Sequence, residues 1–500
     1  MSVIKDATDH RNSVPLSQRA AVIRWVVIGA VLVAAAWVAP FTALAQRRLI
    51  VLFLLPLAAA AVVALFRWPD LGFPLAVVVS LLVPFSIATG TQTGINASVL
   101  LVGMLVGMWL FDMIARRREI RLVASPVVSP LLALMAASVI SLGFGQLPWL
   151  PTHPASLNAQ IGGLMILLLC PAAFLLVAHR LRHLRALEWM TWLFVGLGGI
   201  FIACFVFPTL RNLGLRLFQR AVLDAMFWTW IVTLSFSQAL LNKKLAPGWR
   251  MALVVVALGA FYVTVVMRSS WTSGWLPALV SVATILAVLR PKPVLAVGVA
   301  IGLLVLLRPS FLGSVFLSGD NEYSMSTRLE AWQILWQIIR LSPILGVGPA
   351  NYYSFTTLFS IRGYSVNFNS HNNYVDIVAQ TGLLGLACFV WFAVEAGRLL
   401  WRLRNRLPDG FPRAYIYGAL GGLAATLVSG MLGDWFLPFV YNVGMEGFRA
   451  SGLAWMFLGG AVALEEIYRG TLPPVATPAE SETQDYVYRR RGPRALLPPE

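Results

Sequence analysis

His371 stands in the run Ser370-His-Asn-Asn-Tyr374, ringed by amide and phenol groups and followed at once by a long apolar stretch. An imidazole titrates near neutrality and can take a proton from a hydroxyl, although a histidine in a polar loop is more often simply solvated. The other four histidines have plainer settings: His10 in a polar N-terminus, His153 in a Pro-rich loop, His179 and His183 in a basic turn. A second set of side chains, Arg211, Arg216, Arg220, Arg268 and Arg328, offers complementary chemistry. A guanidinium stays charged and grips carboxylate or phosphate oxygens in pairs, so these arginines suit an anionic ligand.

The elements that must position these groups are membrane helices. The 500 residues are 58% hydrophobic and 12% charged, with a mean hydropathy of +0.76, which excludes a soluble domain. Apolar runs of roughly 17–22 residues recur, long enough to cross a ~30 Å hydrocarbon core as helices, and the alternation of a membrane β-barrel is absent. Run length places about fourteen spans, with twelve as the lower count: 25–45, 49–66, 71–88, 97–115, 126–145, 162–178, 186–207, 223–241, 251–267, 273–289, 294–308, 376–400, 412–430 and 449–466. The expected fold is therefore an all-α polytopic integral membrane protein with one long extracytoplasmic loop. Its parts are a cytoplasmic N-terminal segment (1–22), membrane helices (23–308), the loop (309–375), further membrane helices (376–467) and a disordered cytoplasmic tail (468–500). No cleavable signal peptide is expected. Cys170, Cys204 and Cys388 all fall in apolar spans and form neither a disulfide framework nor a metal-binding spacing.

The net charge of +17 would suggest nucleic acid in a soluble chain. Here it follows from basic loops: Arg116-Arg117-Arg118 with Arg121, His179 to Arg185, Lys243-Lys244 with Arg250, Arg290 with Lys292, and Arg398 to Arg406 alternate onto one side. That side is the cytoplasm by the positive-inside rule. Arg211, Arg216, Arg220 and Arg268, with the Arg47-Arg48 pair as a third group, break the pattern by facing outward. Charge held at the wrong boundary asks for compensation, either from lipid headgroups or from an anionic ligand such as a lipid pyrophosphate. Arg216 and Arg220, four apart, would share a helix face, and Asp224 is placed to pair with Arg220.

Within the outer loop, Thr327 and Glu330 form a T-x-x-E capping box that predicts a helix start. Trp332, Leu335, Trp336 and Ile339 would then share the apolar face of a helix lying on the membrane and ended by Pro343. Arg328 falls on that apolar side, either snorkelling or aimed at an anion. Gly346-Val-Gly348-Pro349 lacks the lysine and the strand–helix context of a phosphate loop and predicts a tight turn.

In this order, Arg328-x-x-x-Trp332, Pro343-x-x-Gly346-x-Gly348, His371-Asn372-x-Tyr374 and Gly382-x-x-Gly385 resemble the outer-loop region of the O-antigen ligase and polymerase superfamily. The resemblance covers about residues 250–400. Arg268-Ser-Ser-Trp271 resembles the family's arginine turn before a span, with Met267 where a serine or threonine is usual. The earlier arginine element should fall at 211–220, where Arg211-Asn-Leu-Gly214 departs from the family pattern by lacking the Asn-Pro-Asn. The resemblance implies a GT-C-like membrane glycosyltransferase of the bacterial inner membrane, its site facing the periplasm. It would move a glycan from an undecaprenyl-pyrophosphate donor to a hydroxyl of lipid A core or of a second lipid-linked glycan. Pyrophosphate leaves well and needs positive charge rather than a proton, while the acceptor hydroxyl needs a base. The implied roles are His371 as base, Arg268 with one or more of Arg211, Arg216 and Arg220 on the pyrophosphate, and Arg328, Asn372 and Tyr374 binding substrate or bracing the loop. The implied transfer is inverting and uses no metal and no cofactor; nucleic acid is not an expected partner.

Two other readings are weaker. Asp320-Asn321-Glu322 places two carboxylates in the loop for a divalent cation. A polysaccharide or lipid-linked oligosaccharide transporter would want ionisable residues deep in the membrane and an internal repeat. Asp112, Glu188 and Glu395 instead lie near the cytoplasmic ends of spans, and no repeat is present.

Overall fold

The computed structural model describes residues 64–88 (except 66), 94–307 and 320–471. The span expected at 25–45, nearly all of that at 49–66, the Arg47-Arg48 pair, the N-terminal segment, and the tail beyond 471 lie outside the described residues. So do the side chains of Asp320, Asn321 and Glu322.

Fifteen helices organise the described chain: α1 (Gly72–Leu82), α2 (Ala97–Arg116), α3 (Val128–Phe144), α4 (Leu157–Arg180), α5 (Leu184–Val206), α6 (Pro208–Leu217), α7 (Ala225–Leu241), α8 (Pro247–Met267), α9 (Thr272–Leu289), α10 (Pro291–Leu307), α11 (Asp320–Ile339), α12 (Asn351–Phe355), α13 (Asn373–Leu403), α14 (Phe411–Leu432) and α15 (Phe448–Tyr468). Among the described residues eight helices are long and apolar enough to cross a membrane, namely α2, α4, α5, α8, α9, α13, α14 and α15 with its leading turn; α1, α3, α7 and α10 are shorter apolar helices. Each expected span from 71–88 onward falls on one of these. The chain is an all-α multi-pass membrane protein.

The α15 helix is buried along almost its whole length and packs chiefly on α4. Its Gly and Ala content allows this: a Cβ on Gly459 would come within 2.4 Å of the Phe174 carbonyl oxygen, so only a small residue lets the two backbones meet. The Trp455 ring stacks on Phe436 (centroids 4.2 Å apart) and on Phe392 (5.1 Å), tying α13 and the segment after α14 to this central helix.

The span expected at 71–88 is shorter than the sequence suggested. The α1 helix stops at Leu82, and after Pro84 the chain forms a strand, β1 (Ser86–Ala88), paired antiparallel with β2 (Gly94–Asn96). Stopping early leaves carbonyls that a lipid-embedded backbone cannot leave unsatisfied. Arg449 of α15, fully buried, fills that need by donating to the carbonyls of Val79 (3.2 Å), Val83 (3.0 Å) and Phe85 (3.1 Å), and Glu446 balances its charge at 2.6 Å.

The glycine motifs also find their reason in the backbone. The α13 helix is broken at Gly382 (φ 70°, ψ −174°), and the 343–348 segment docks into the break. Val347 N donates to Ala379 O, Gly348 N to Gln380 O, Leu383 N to Pro343 O and Leu384 N to Ile344 O. Peptide groups freed by the break are thus satisfied inside the protein, as a membrane interior demands. A Cβ on Gly382 would lie 2.1 Å from Ile344 O, and one on Gly346 2.4 Å from Gln380 O. The expected tight turn is therefore a close backbone crossing rather than a phosphate cradle. Gly382→Ala should lower the thermal unfolding midpoint in detergent by more than a positive φ alone explains, which costs an alanine only ~1–2 kcal/mol. An unchanged midpoint would mean that the crossing is not tight.

The α11 helix differs from its expected form. It begins at Asp320, so Thr327 and Glu330 lie inside it and form no cap. Glu330 reaches across to Arg362, taking its backbone N–H at 3.1 Å and its guanidinium at 3.1 Å. The helix ends at Ile339, before Pro343, and its buried face is Ala331, Ile334, Leu335, Ile338 and Ile339. Trp336, expected on that face, is 57% exposed.

Candidate active site

The two ends of the helix bundle differ. At one end the turns after α2 and α4 and the start of α5 bring Asp112 against Arg180 (2.8 Å) and Arg117 (3.0 Å), and His183 against Asp70 (2.7 Å). At the other end a cavity of ≈ 920 Å³ opens where α1, α6 and α14 finish and α7, α9 and α13 begin. Arg216, Arg220, Arg328 and His371, from three separate stretches of sequence, all line it.

His371 is held by its neighbours. Its backbone is left-handed (φ 47°), an unusual state for a residue other than glycine. Ser370 is pinned through its carbonyl by Trp332 Nε1 (2.8 Å) and through its hydroxyl, which donates to Asp376 Oδ1 (2.7 Å) and accepts from Asn372 N (2.9 Å). Asn372 caps α13, its Oδ1 accepting from Tyr374 N (2.9 Å) and Val375 N (3.3 Å). With both flanks fixed, the left-handed turn turns the imidazole toward the cavity. Asp376 takes no part beside the imidazole; it is buried against Ser370 and the Tyr352 hydroxyl.

The wall facing His371 comes from the segment after α14. Asn372 Nδ2 donates to Met431 O (3.3 Å), Ser273 Oγ to Leu432 O (3.2 Å) and Arg328 Nη1 to Leu432 O (3.3 Å). Asp434, in the turn that follows, accepts from Phe439 N (2.9 Å) and from Asn442 Nδ2 (2.6 Å). That same amide lies 3.4 Å from His371 Nδ1, a contact too long to fix the tautomer. Burial pulls the His371 pKa below the usual 6.5, opposed by the Asp434 charge and reinforced by Arg328. Burial pushes the Asp434 carboxyl up, against hydrogen bonds from Phe439 and Asn442 and the field of His371. The imidazole is therefore neutral and open to a proton at neutral pH, and the Asp434 carboxyl favours the imidazolium once it forms.

The arginines divide. Arg216 and Arg220 line the cavity and make no ion pair among the described residues. They do not share a helix face as expected, because α6 ends at Leu217 and Phe218 is extended; Gln219 N bonds Leu81 O (2.7 Å) and sets Arg220 on a separate turn. Nor does Asp224 pair with Arg220: it caps α7 through Met226 N (2.8 Å). Arg211 points elsewhere, with Nε on Phe205 O (3.0 Å) and its guanidinium over the Phe205 ring (5.2 Å). Arg268 sits behind the cavity wall, its guanidinium 4.1 Å from the ring of Trp271, which lines the cavity; Arg268 Nη1 is buried with no partner among the described residues. Arg328 reaches the cavity and also braces Leu432. Tyr374 braces only, its hydroxyl donating to Leu427 O (2.8 Å).

Residues 245–390 match the family model for O-antigen ligase. That match supports a place for this region in the O-antigen ligase superfamily. The matched residues hold Arg268, Arg328, the Gly346–Gly348 turn, His371 and the break in α13, while Arg216, Arg220, Asp434 and Asn442 join the cavity from outside them. No curated protein matches the chain. The match suggests a membrane glycosyltransferase-like role in polysaccharide ligation.

Asp434 and Asn442 escaped the reading of the sequence. One signal was present: Asp434 is the only acidic residue between Asp409 and Glu446, and it follows directly on an apolar span.

Proposed function

We propose that this protein transfers a glycan from an undecaprenyl-pyrophosphate donor to an acceptor hydroxyl at the periplasmic face of the bacterial inner membrane, in a single inverting displacement that needs no metal ion. The observation that carries this reading is the cavity that joins a half-buried, neutral histidine to Arg216, Arg220 and Arg328. It lies at the end opposite the basic loops, which the positive-inside rule assigns to the periplasm. His371 takes the proton of the acceptor hydroxyl as its oxygen attacks the anomeric carbon. The bond from that carbon to the pyrophosphate oxygen breaks, and the electron pair leaves on the pyrophosphate. The arginines meet the charge that develops there, the service a divalent cation gives in other transferases. Attack from the face opposite the leaving group inverts the anomeric centre. Lipid A core and a second lipid-linked glycan are the acceptors of choice, giving ligation or polymerisation of a surface polysaccharide such as O-antigen, capsule or exopolysaccharide.

The test is transfer by the purified full-length protein with lipid-linked glycan from its host, in EDTA, offering each acceptor in turn. Product should form with at least one acceptor and carry the opposite anomeric configuration. Retention of configuration, or activity restored only by a divalent cation, would refute the mechanism. Net movement of the lipid-linked glycan across proteoliposomes without product would instead indicate a transporter.

A further inference from the structure

The cavity is not furnished for pyrophosphate alone. Beside the arginines it is lined by two indoles, Trp271 and Trp435, and by two carboxyl residues, Asp224 and Asp434. A carboxyl offers little to a pyrophosphate but hydrogen-bonds a hydroxyl well, so this wall also suits an uncharged polar partner. Trp271 and Trp435 meet nearly at right angles (78°) with centroids 6.1 Å apart, and both are half-buried. Arg268 covers Trp271 at 4.1 Å and fixes that ring in place. Trp435 folds back over Gly433, where an added Cβ would fall 2.4 Å from Nε1. That Nε1 is buried without a partner among the described residues, and so is Asp224 Oδ2. Arg328 Nε is a third such atom among the residues that line the cavity; buried polar atoms left unpaired cost about 1–3 kcal/mol each, so their gathering around one cavity marks where a ligand compensates.

A sugar ring fits this inventory. Its axial C–H bonds form an apolar face that the negative face of an indole attracts, and its rim of hydroxyls both donates to carboxyls and accepts from N–H groups. The volume, ≈ 920 Å³, is near the top of the ~300–1,000 Å³ range of small-molecule sites and leaves room for a sugar beside a pyrophosphate. We infer that Trp271 and Trp435, with the Asp224 and Asp434 carboxyls at their rim, form the subsite that holds a sugar ring of the transferred glycan, while Arg216, Arg220 and Arg328 hold the pyrophosphate. This rests on the donor proposed above and adds the division of the cavity into a glycan half and a phosphate half. Trp435 is the residue to change, because altering Trp271 would also release Arg268.

The test measures binding of three probes to the purified full-length protein: the lipid-linked glycan extracted from the host, the free oligosaccharide released from it, and undecaprenyl pyrophosphate bearing no sugar. Trp435→Leu should weaken both glycan probes by roughly tenfold while leaving undecaprenyl pyrophosphate within about twofold. Trp435→Phe, which keeps an aromatic face, should recover most of the loss. Arg220→Gln should show the converse pattern, losing undecaprenyl pyrophosphate and keeping the free oligosaccharide. Equal glycan binding by wild type and Trp435→Leu overturns the inference, as does an absence of glycan binding by the wild type. An equal loss on all three probes also overturns it, by making Trp435 a brace for its turn. Should the wild type bind the free oligosaccharide through Trp435 yet ignore undecaprenyl pyrophosphate, the sugar subsite stands and the donor assignment falls.

Discussion

His371→Asn should lower glycan transfer by about 10²–10⁴-fold, the range a general base contributes, with the thermal midpoint little changed. Asparagine is the better first substitution because, like histidine, it is enriched in the left-handed backbone held at φ 47°, whereas alanine is not. A loss of the same size in both variants then reports chemistry and not folding. The pH profile supplies an independent check. Burial holds the His371 pKa below 6.5, so wild-type activity should be flat through neutrality and fall only once the pH drops below that value and the base is protonated. Removing the Arg328 charge relieves part of the depression, so Arg328→Gln should move the acid limb to higher pH. Asp434→Asn removes the charge that favours imidazolium and should move the limb lower still, with a reduced plateau because the base is weaker. An acid limb that ignores both substitutions, or transfer retained by His371→Asn, would show that another group takes the proton.

The parts of this site that were legible in the sequence are those whose signal is local. An apolar run long enough to span a bilayer announces a helix whatever surrounds it, and each run from 71 onward sits on one. His371 was legible because its polar neighbours are consecutive, and Ser370 and Asn372 do hold it through hydrogen bonds a few residues long. The glycines at 346 and 382 were legible as turn-formers, although not as partners in one crossing, since they lie far apart in sequence. What was lost depends on distance. Asp434 and Asn442 reach His371 only because α14 returns the chain to the mouth of α13, and a single sequence records no such juxtaposition. Thr327 and Glu330 carry a proper capping pattern, yet the helix runs through them and Glu330 pairs with Arg362 instead. Local propensity is a weak prior, and tertiary contacts decide. In the same way, the helical spacing of Arg216 and Arg220 is broken at Phe218, and they still converge because the cavity gathers them from different turns.

That convergence makes the arginines distinguishable by experiment. Arg216→Gln and Arg220→Gln should each reduce transfer by about 10²–10³-fold, the cost of removing one preorganised donor from a developing anion, and the loss should appear in kcat as well as in donor binding. Arg211→Gln should stay within about threefold of wild type, because a side chain committed to Phe205 O and its ring adds only a surface-like contact. The sequence alone ranks these three alike; the geometry does not. Lysine at 216 or 220 separates charge from shape. An ammonium keeps the charge but cannot grip two oxygens in a fork, so Arg220→Lys should recover only part of the rate if the contact is bidentate. Arg328→Gln should be the most damaging of the set for stability, because its Nη1 also braces Leu432 O at 3.3 Å; thermal midpoints measured alongside rates will separate that bracing from catalysis. Should Arg211→Gln prove inactive while Arg216→Gln and Arg220→Gln remain active, the pyrophosphate lies on the other side of α6, and the cavity described here is not where the bond breaks.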